Sequence, residues 1–115
     1  YAQGLEDLLM RVTKDYEVPA VYVTESGSAW ADQPDENGHV DDPERTAYLM
    51  DHIAATARAY AQGAPVRGYF AWSLLDNFEW DYGLAPRFGL AYVDYATQRR
   101  TLKASGHAYA QLIAR

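Results

Sequence analysis

Apolar residues recur at helical spacing near the start of the chain. Leu5, Leu8, Leu9 and Val12 form one stripe, which predicts a helix from Gly4 to about Tyr16 with one buried face. Pro19 interrupts that pattern, and Ala20-Val-Tyr-Val-Thr24 is short and rich in β-branched residues, as a strand should be. A polar stretch from Ser26 to Asp41 reads as a loop with a turn at Asn37-Gly38. At Asp42-Pro43-Glu44 a capping side chain, a proline at the first helical position and an acid in the first turn coincide, so a second helix should start there. Leu49, Ile53, Ala57 and Tyr60 mark its expected buried face, and Gly63 is placed to end it. Pro65 and Val66 open a second predicted strand that runs to Trp72. A long loop then leads to a further extended run, Phe88-Gly-Leu-Ala-Tyr-Val-Asp94. From about Ala104 a last helix is expected to bury Ala108, Leu112 and Ile113.

The repeated unit is strand, loop, helix, which is the βα pattern of a parallel sheet. Both strands are apolar on both faces, as expected when helices cover one side and a packed interior the other. A closed (β/α)8 TIM barrel takes eight such units and about 250 residues. With 115 residues the chain holds about two units behind one leading helix, so the expected fold is α/β, a quarter of such a barrel. No linker, second domain or low-complexity tract is visible, and residues 1–115 read as one segment of a single domain. In isolation such a piece would leave strand edges unpaired. It would also leave Val21, Val23, Tyr69 and Ala71, or their alternating neighbours, without the layers that should cover them. Alone, it is expected to be molten, aggregated or oligomeric.

Composition and charge mainly exclude. A formal charge of −6, with Arg99-Arg100 the one adjacent basic pair, argues against a nucleic-acid partner. The absence of cysteine removes disulfides and thiolate metal sites. No apolar run approaches the roughly 20 residues that span a bilayer, and no signal peptide is seen, so a cytoplasmic location without a membrane partner is the expectation. Tyr1-Ala-Gln-Gly-Leu-Glu-Asp, lacking a Met start, reads as the middle of something longer. Asp32, Asp35, Asn37, Asp41 and Asp42 form an acidic loop, but their spacing misses the calcium-loop pattern. His39, His52 and His107 fit no ligand spacing, and surface or packing roles are expected for them.

The candidate chemistry lies where strands should end. Trp72-Ser-Leu-Leu-Asp-Asn-Phe-Glu-Trp80 places two indoles and a carboxylate directly after the second strand. A flat aromatic face covers the C–H face of a pyranose, and a carboxylate takes sugar hydroxyls in charge-assisted hydrogen bonds. Glu25 follows the first strand at the corresponding end, the rim where α/β barrels keep their active sites. Phe78 should pack beneath the loop. Asp76 and Asn77 should hold it by local backbone hydrogen bonds, and Arg87 should anchor it near Phe88.

Thr24-Glu-Ser-Gly27, Trp72 to Trp80, Arg87-Phe-Gly-Leu90 and the run Tyr92-Val-Asp-Tyr-x-Thr-Gln-x-Arg-Thr-x-Lys-x-Ser105 together resemble the C-terminal part of glycoside hydrolase family 1, which contains retaining β-glucosidases and β-galactosidases. The resemblance covers nearly the whole chain and implies the last part of a (β/α)8 barrel. It implies Glu25 as nucleophile, in a segment with Ser26 where the family most often has Asn. It implies Trp72 as stacking platform, Glu79 as the carboxylate for the sugar's 4- and 6-hydroxyls, Trp80 as an indole donor and Phe88 as an apolar wall. Phospho-glycosidases of the family carry Ser, Lys and Tyr where this chain has Glu79, Pro86 and Phe88, so a non-phosphorylated β-glucoside or related β-glycoside is the implied substrate. The Asn-Glu-Pro segment with the family's acid/base has no match here, so the chain alone should be inactive and should require the remainder of the barrel. Two carboxyl groups suffice for this chemistry, and no metal or cofactor is implied. The competing expectation is a non-catalytic carbohydrate-binding or assembly fragment.

Overall fold

In the computed structural model, which describes residues 1–114, β1 (Val21–Ser26) and β2 (Val66–Ala71) lie side by side and parallel. The chain between them passes through α2 (Pro43–Ala61), and α1 (Ala2–Asp15) packs on α2. Beyond β2 come a 3-10 turn (Trp80–Tyr82), an antiparallel hairpin of β3 (Ala91–Val93) and β4 (Arg100–Leu102), and α3 (Ala104–Ile113). Two strands in parallel with a helical crossover form one βα arrangement of the expected kind. No described helix is long and apolar enough to cross a membrane.

The core between the strands and the first two helices is made by Leu9, Val23, Ala59 and Ala64, with Leu5, Met10, Val21, Val66 and Tyr69 packed around them. Burying Leu9 or Val23 contributes roughly 1.5–3 kcal/mol each relative to leaving it in water. Val21, Val23 and Tyr69 therefore face the helices. The uncovered side of the strand pair carries their neighbours: Tyr22 and Phe70 are 54% and 56% exposed.

Several expected faces are rotated. In α1, Leu9 is buried but Leu8 is exposed. In α2 the buried stripe is Arg45, Leu49, His52, Ala55, Thr56 and Ala59, while Ala57 and Tyr60 face solvent. Hydrophobicity hid this stripe because two of its members are an ion-paired arginine and a histidine stacked on Tyr48 at 3.8 Å. Pro43 opens α2 as expected, but the Asp42 side chain does not cap it; its carboxylate serves Arg45 and Ser105 instead. In α3 the buried residues are Ser105 and Gly106, and Ile113 is exposed. Close approach explains the choice: a Cβ on Gly106 would sit 2.5 Å from Leu102 Cδ1 and 2.8 Å from the Leu90 carbonyl oxygen.

The strand β4 has no apolar signature in Arg-Thr-Leu. Its pairing follows from the turn before it, where Asp94 accepts the backbone N–H of Ala96 at 3.0 Å and the Thr97 hydroxyl at 2.6 Å. The expected turn at Asn37-Gly38 forms, with Gly38 at φ 81° and Asp35 Oδ1 accepting the backbone N–H of Asn37 and of His39.

Candidate functional site

Glu25 and Trp72 stand at the same end of neighbouring strands. Ser26 is in register with Ala71, and the Trp72 N–H donates to the Ser26 carbonyl at 2.9 Å. The pairing slips on the way: Val23 faces Tyr69 and Ser26 faces Ala71, so β1 spends one more residue than β2 over this interval. A bulge inverts the alternation of side chains. Regular alternation would put Glu25 on the helix side with Val23; instead Glu25 is exposed and Ser26 is buried. Gly27 is needed where it stands, because a Cβ there would meet the Trp72 carbonyl oxygen at 1.8 Å.

The loop after β2 is laid against the segment that leads into β3. Ser73 N–H donates to Phe88 O, Leu90 N–H to Ser73 O, and Ala91 N–H to Leu74 O at 2.9 Å. Gly89 permits this contact, since a Cβ there would lie 2.2 Å from the Asp76 nitrogen. The loop tip closes on itself, with Glu79 N–H donating to Gly83 O at 2.7 Å and Gly83 N–H returning to Glu79 O at 3.0 Å. This small ring holds Trp80 at φ 30°, a left-handed conformation that costs a non-glycine residue about 1–3 kcal/mol. Trp80 projects into solvent at 85% exposure, and Trp72 is exposed to 39%.

Glu79 and Phe88 meet across a concavity of about 230 Å³, lined also by Ala29, Tyr82 and Pro86. The five expected site residues thus occupy one end of the strand pair in two groups. Glu25 and Trp72 sit on the strand ends, Glu79 and Phe88 line the concavity, and Trp80 stands beside Glu79 on the loop tip. Ala29 and Tyr82 carry no chemical signal in the sequence and enter the concavity through loop geometry alone.

Beneath the loop lies a buried charged joint. Asp76 is not a local loop residue as expected: its Oδ1 accepts Gly89 N–H at 2.9 Å and Lys103 Nζ at 2.8 Å, and its Oδ2 accepts Arg87 Nη1 at 2.8 Å and Val93 N–H at 3.2 Å. Burial pushes the Asp76 carboxyl up, but the hydrogen bonds from Lys103 and Arg87 and the nearby ammonium charge outweigh it and hold it below its ordinary value. Arg87 anchors the loop as expected, its guanidinium 4.1 Å above the Tyr92 ring and 4.7 Å from that of Tyr95. Asn77 does bond locally, to Ser73 and Leu75. Phe78, expected beneath the loop, is 66% exposed; the loop residue buried there is Asp76, 4% exposed and held by Arg87 and Lys103. Asp32 and Asp42 of the acidic loop are buried partners of Arg45, and Asp32 also pairs with Lys103.

Residues 1–115 match the model of glycosyl hydrolase family 1 over their whole length. The chain belongs to this family. It is 54% identical to the psychrophilic β-glucosidase BglU from Micrococcus antarcticus, whose crystal structure superposes with a TM-score of 0.97 over 99% of this chain and 24% of that one. It is 46% identical to β-glucosidase A of Thermotoga maritima over 96% of this chain and 25% of the relative. A 6-phospho-β-galactosidase of Streptococcus equi subsp. zooepidemicus is 44% identical over 99% of the chain and 24% of its own length. The chain therefore spans about a quarter of the family relatives it matches.

Proposed function

We propose that residues 1–115 are the C-terminal segment of a retaining β-glycosidase on a (β/α)8 barrel, acting as a β-glucosidase on terminal non-reducing β-D-glucosyl residues. The observation that supports this reading best is the parallel register that puts Glu25 and Trp72 on adjacent strand ends, bridged by the Trp72–Ser26 hydrogen bond. In this reading a β-glucoside lies against the Trp72 indole, with Glu79 and Trp80 holding its hydroxyls. The Glu25 carboxylate attacks the anomeric carbon as the bond to the aglycone oxygen breaks. A second carboxyl group, contributed by another part of the barrel about 5–5.5 Å away, protonates the leaving oxygen and later deprotonates the water that releases the sugar.

The concavity supports a non-phosphorylated substrate. Its lining of Ala29, Glu79, Tyr82, Pro86 and Phe88 offers one carboxylate and no cation, so a 6-phosphate dianion there would be repelled. Overall identity does not separate the two substrate classes, since relatives named for each lie within a few per cent of one another.

The test is a 2-deoxy-2-fluoro glucoside with a good leaving group, applied to the completed barrel. The expected outcome is a stable adduct on the peptide that carries Glu25; an adduct on another carboxylate would overturn the assignment. Purified 1–115 should show no enzymatic turnover of nitrophenyl β-glucoside, because general acid–base catalysis worth roughly 10²–10⁴-fold is supplied by another segment.

A further inference from the structure

Lys103 stands at the junction of β4 and α3 with its side chain wholly buried, an unusual place for an ammonium group. It reaches two carboxylates on two separate loops. Asp32 belongs to the loop after β1, the strand that ends with Glu25; Asp76 belongs to the loop after β2, which carries Glu79 and Trp80. Asp32 continues to Arg45 Nη2 at 2.7 Å, and Arg45 continues to Asp42, which takes the Ser105 N–H at 2.8 Å. Arg45 also donates from Nε to the Ser28 carbonyl at 3.2 Å and from Nη2 to that of Arg87, so both loops are gripped twice. Three aspartates (Asp32, Asp42, Asp76) balance three cations (Arg45, Arg87, Lys103) within the joint.

A buried ion pair is weak ground for stability, because desolvation offsets much of the attraction and apolar residues of similar volume often serve as well. What an ammonium between two carboxylates supplies is direction. Each Asp76 oxygen already accepts a backbone N–H and a side-chain cation, so the carboxylate cannot turn without losing a charged bond. From Asp76 the chain reaches Glu79 in three residues, a span of at most about 11 Å. The tip is closed by its own Glu79–Gly83 ring. With base and tip each fixed, the angle between the two loops is set at the shared joint.

We propose that Lys103 is a positioning residue for sugar recognition: by tying Asp32 to Asp76 it fixes where Glu79 stands relative to Glu25. The inference rests on the glycosidase reading above and adds the group that determines its fit to the C6 side of the sugar. Glu79 is the residue that would meet the 4- and 6-hydroxyls, so a displaced Glu79 penalises a glucoside more than a xyloside, which lacks the C6 hydroxymethyl group. A lysine that only stabilised the fold would affect both substrates alike.

The experiment compares kcat/KM for nitrophenyl β-glucoside and β-xyloside in the completed barrel, for the parent, Lys103→Met and Asp32→Asn. Lys103→Met should lower the glucoside-to-xyloside ratio about tenfold or more, the worth of one charged hydrogen bond. Asp32→Asn, which keeps the shape and leaves the Lys103–Asp76 contact, should lower it less and serves if the lysine variant does not fold. On a Glu79→Ala background, Lys103→Met should leave the ratio unchanged, as expected for two groups acting through one contact. An equal loss on both substrates, an unchanged ratio in a folded variant, or a further fall on the Glu79→Ala background would overturn the inference while leaving the glycosidase reading intact. A parent inactive on both sugars would overturn the glycosidase reading and the inference together.

Discussion

Tyr22 and Phe70 on the open face of the strand pair are 54% and 56% exposed, whereas Arg45 and Lys103 in the joint under the loops are 1% and 0% exposed. The usual order of burial is reversed between the two regions. Apolar burial is non-directional, and any well-shaped surface can provide the cover. A buried charge instead needs particular partners at particular distances, or it costs several kcal/mol. Among the described residues, the buried charges of the joint find their partners, whereas nothing covers the aromatic face of Tyr22 and Phe70. The loop framework is thus closed among the described residues, and in the proposed barrel reading the cover for the sheet comes from the remaining strands.

The largest expected effect separates chemistry from both regions. In the completed barrel Glu25→Gln should lower kcat by at least about 10³-fold, because it removes the charge of the proposed nucleophile while keeping its size. Its thermal unfolding should match the parent; a cooperative loss of stability would instead place Glu25 in the framework.

Breaking the charged joint is the next largest. Asp76→Ala should destabilise the completed barrel by about 3–5 kcal/mol in chemical denaturation, since Lys103 and Arg87 lose a buried partner. A loss below 1 kcal/mol would show the joint to be wet and unimportant. Gly27→Ala should cost about 1–3 kcal/mol through overpacking, because its methyl group meets the Trp72 backbone rather than a side chain able to move. The same substitution should impair turnover by shifting Trp72 away from Glu25.

Acid should loosen the joint before the apolar core. The folded Asp76 carboxyl titrates below its unfolded value, so its contribution is fully present above the ordinary carboxylate range. That contribution is lost as the pH falls from about 4 downwards. Asp76→Asn should flatten this limb of a stability–pH curve, and an unchanged curve would break the linkage. The smallest expected effect is on the open face. Tyr22→Ser and Phe70→Ser should leave the far-ultraviolet circular dichroism of the 115-residue chain unchanged, because both side chains are exposed there. Both should reduce self-association in sedimentation velocity, which would identify this face as the adhesive one.

Much of the architecture was legible from local chemistry. Pro43 with Glu44, the β-branched run at 20–24 and the Gly63 stop mark their elements because turn, cap and strand preferences act over a few residues. The candidate site residues could be named because Glu25 and Trp72 close predicted strands and Glu79 lies in the loop that follows, all within motifs of high specificity. Helix faces were less legible. Ala57, Tyr60 and Ile113 looked inward by hydrophobicity, while Arg45, His52 and Gly106 are the residues that pack.

The amino-acid sequence by itself determined which residues could form strands and turns and which carboxylates and indoles are the candidates for the proposed sugar site, because those preferences are carried by each residue and its near neighbours. Only the tertiary structure decided that a bulge turns Glu25 outward, that glycines at 27 and 89 admit a crossing backbone, and that Lys103 joins Asp32 to Asp76. Lys103 and Asp32 are 71 positions apart. No local preference encodes a pairing at that separation; it arises when folding excludes water and leaves each buried charge only the opposite charges that the fold brings within reach.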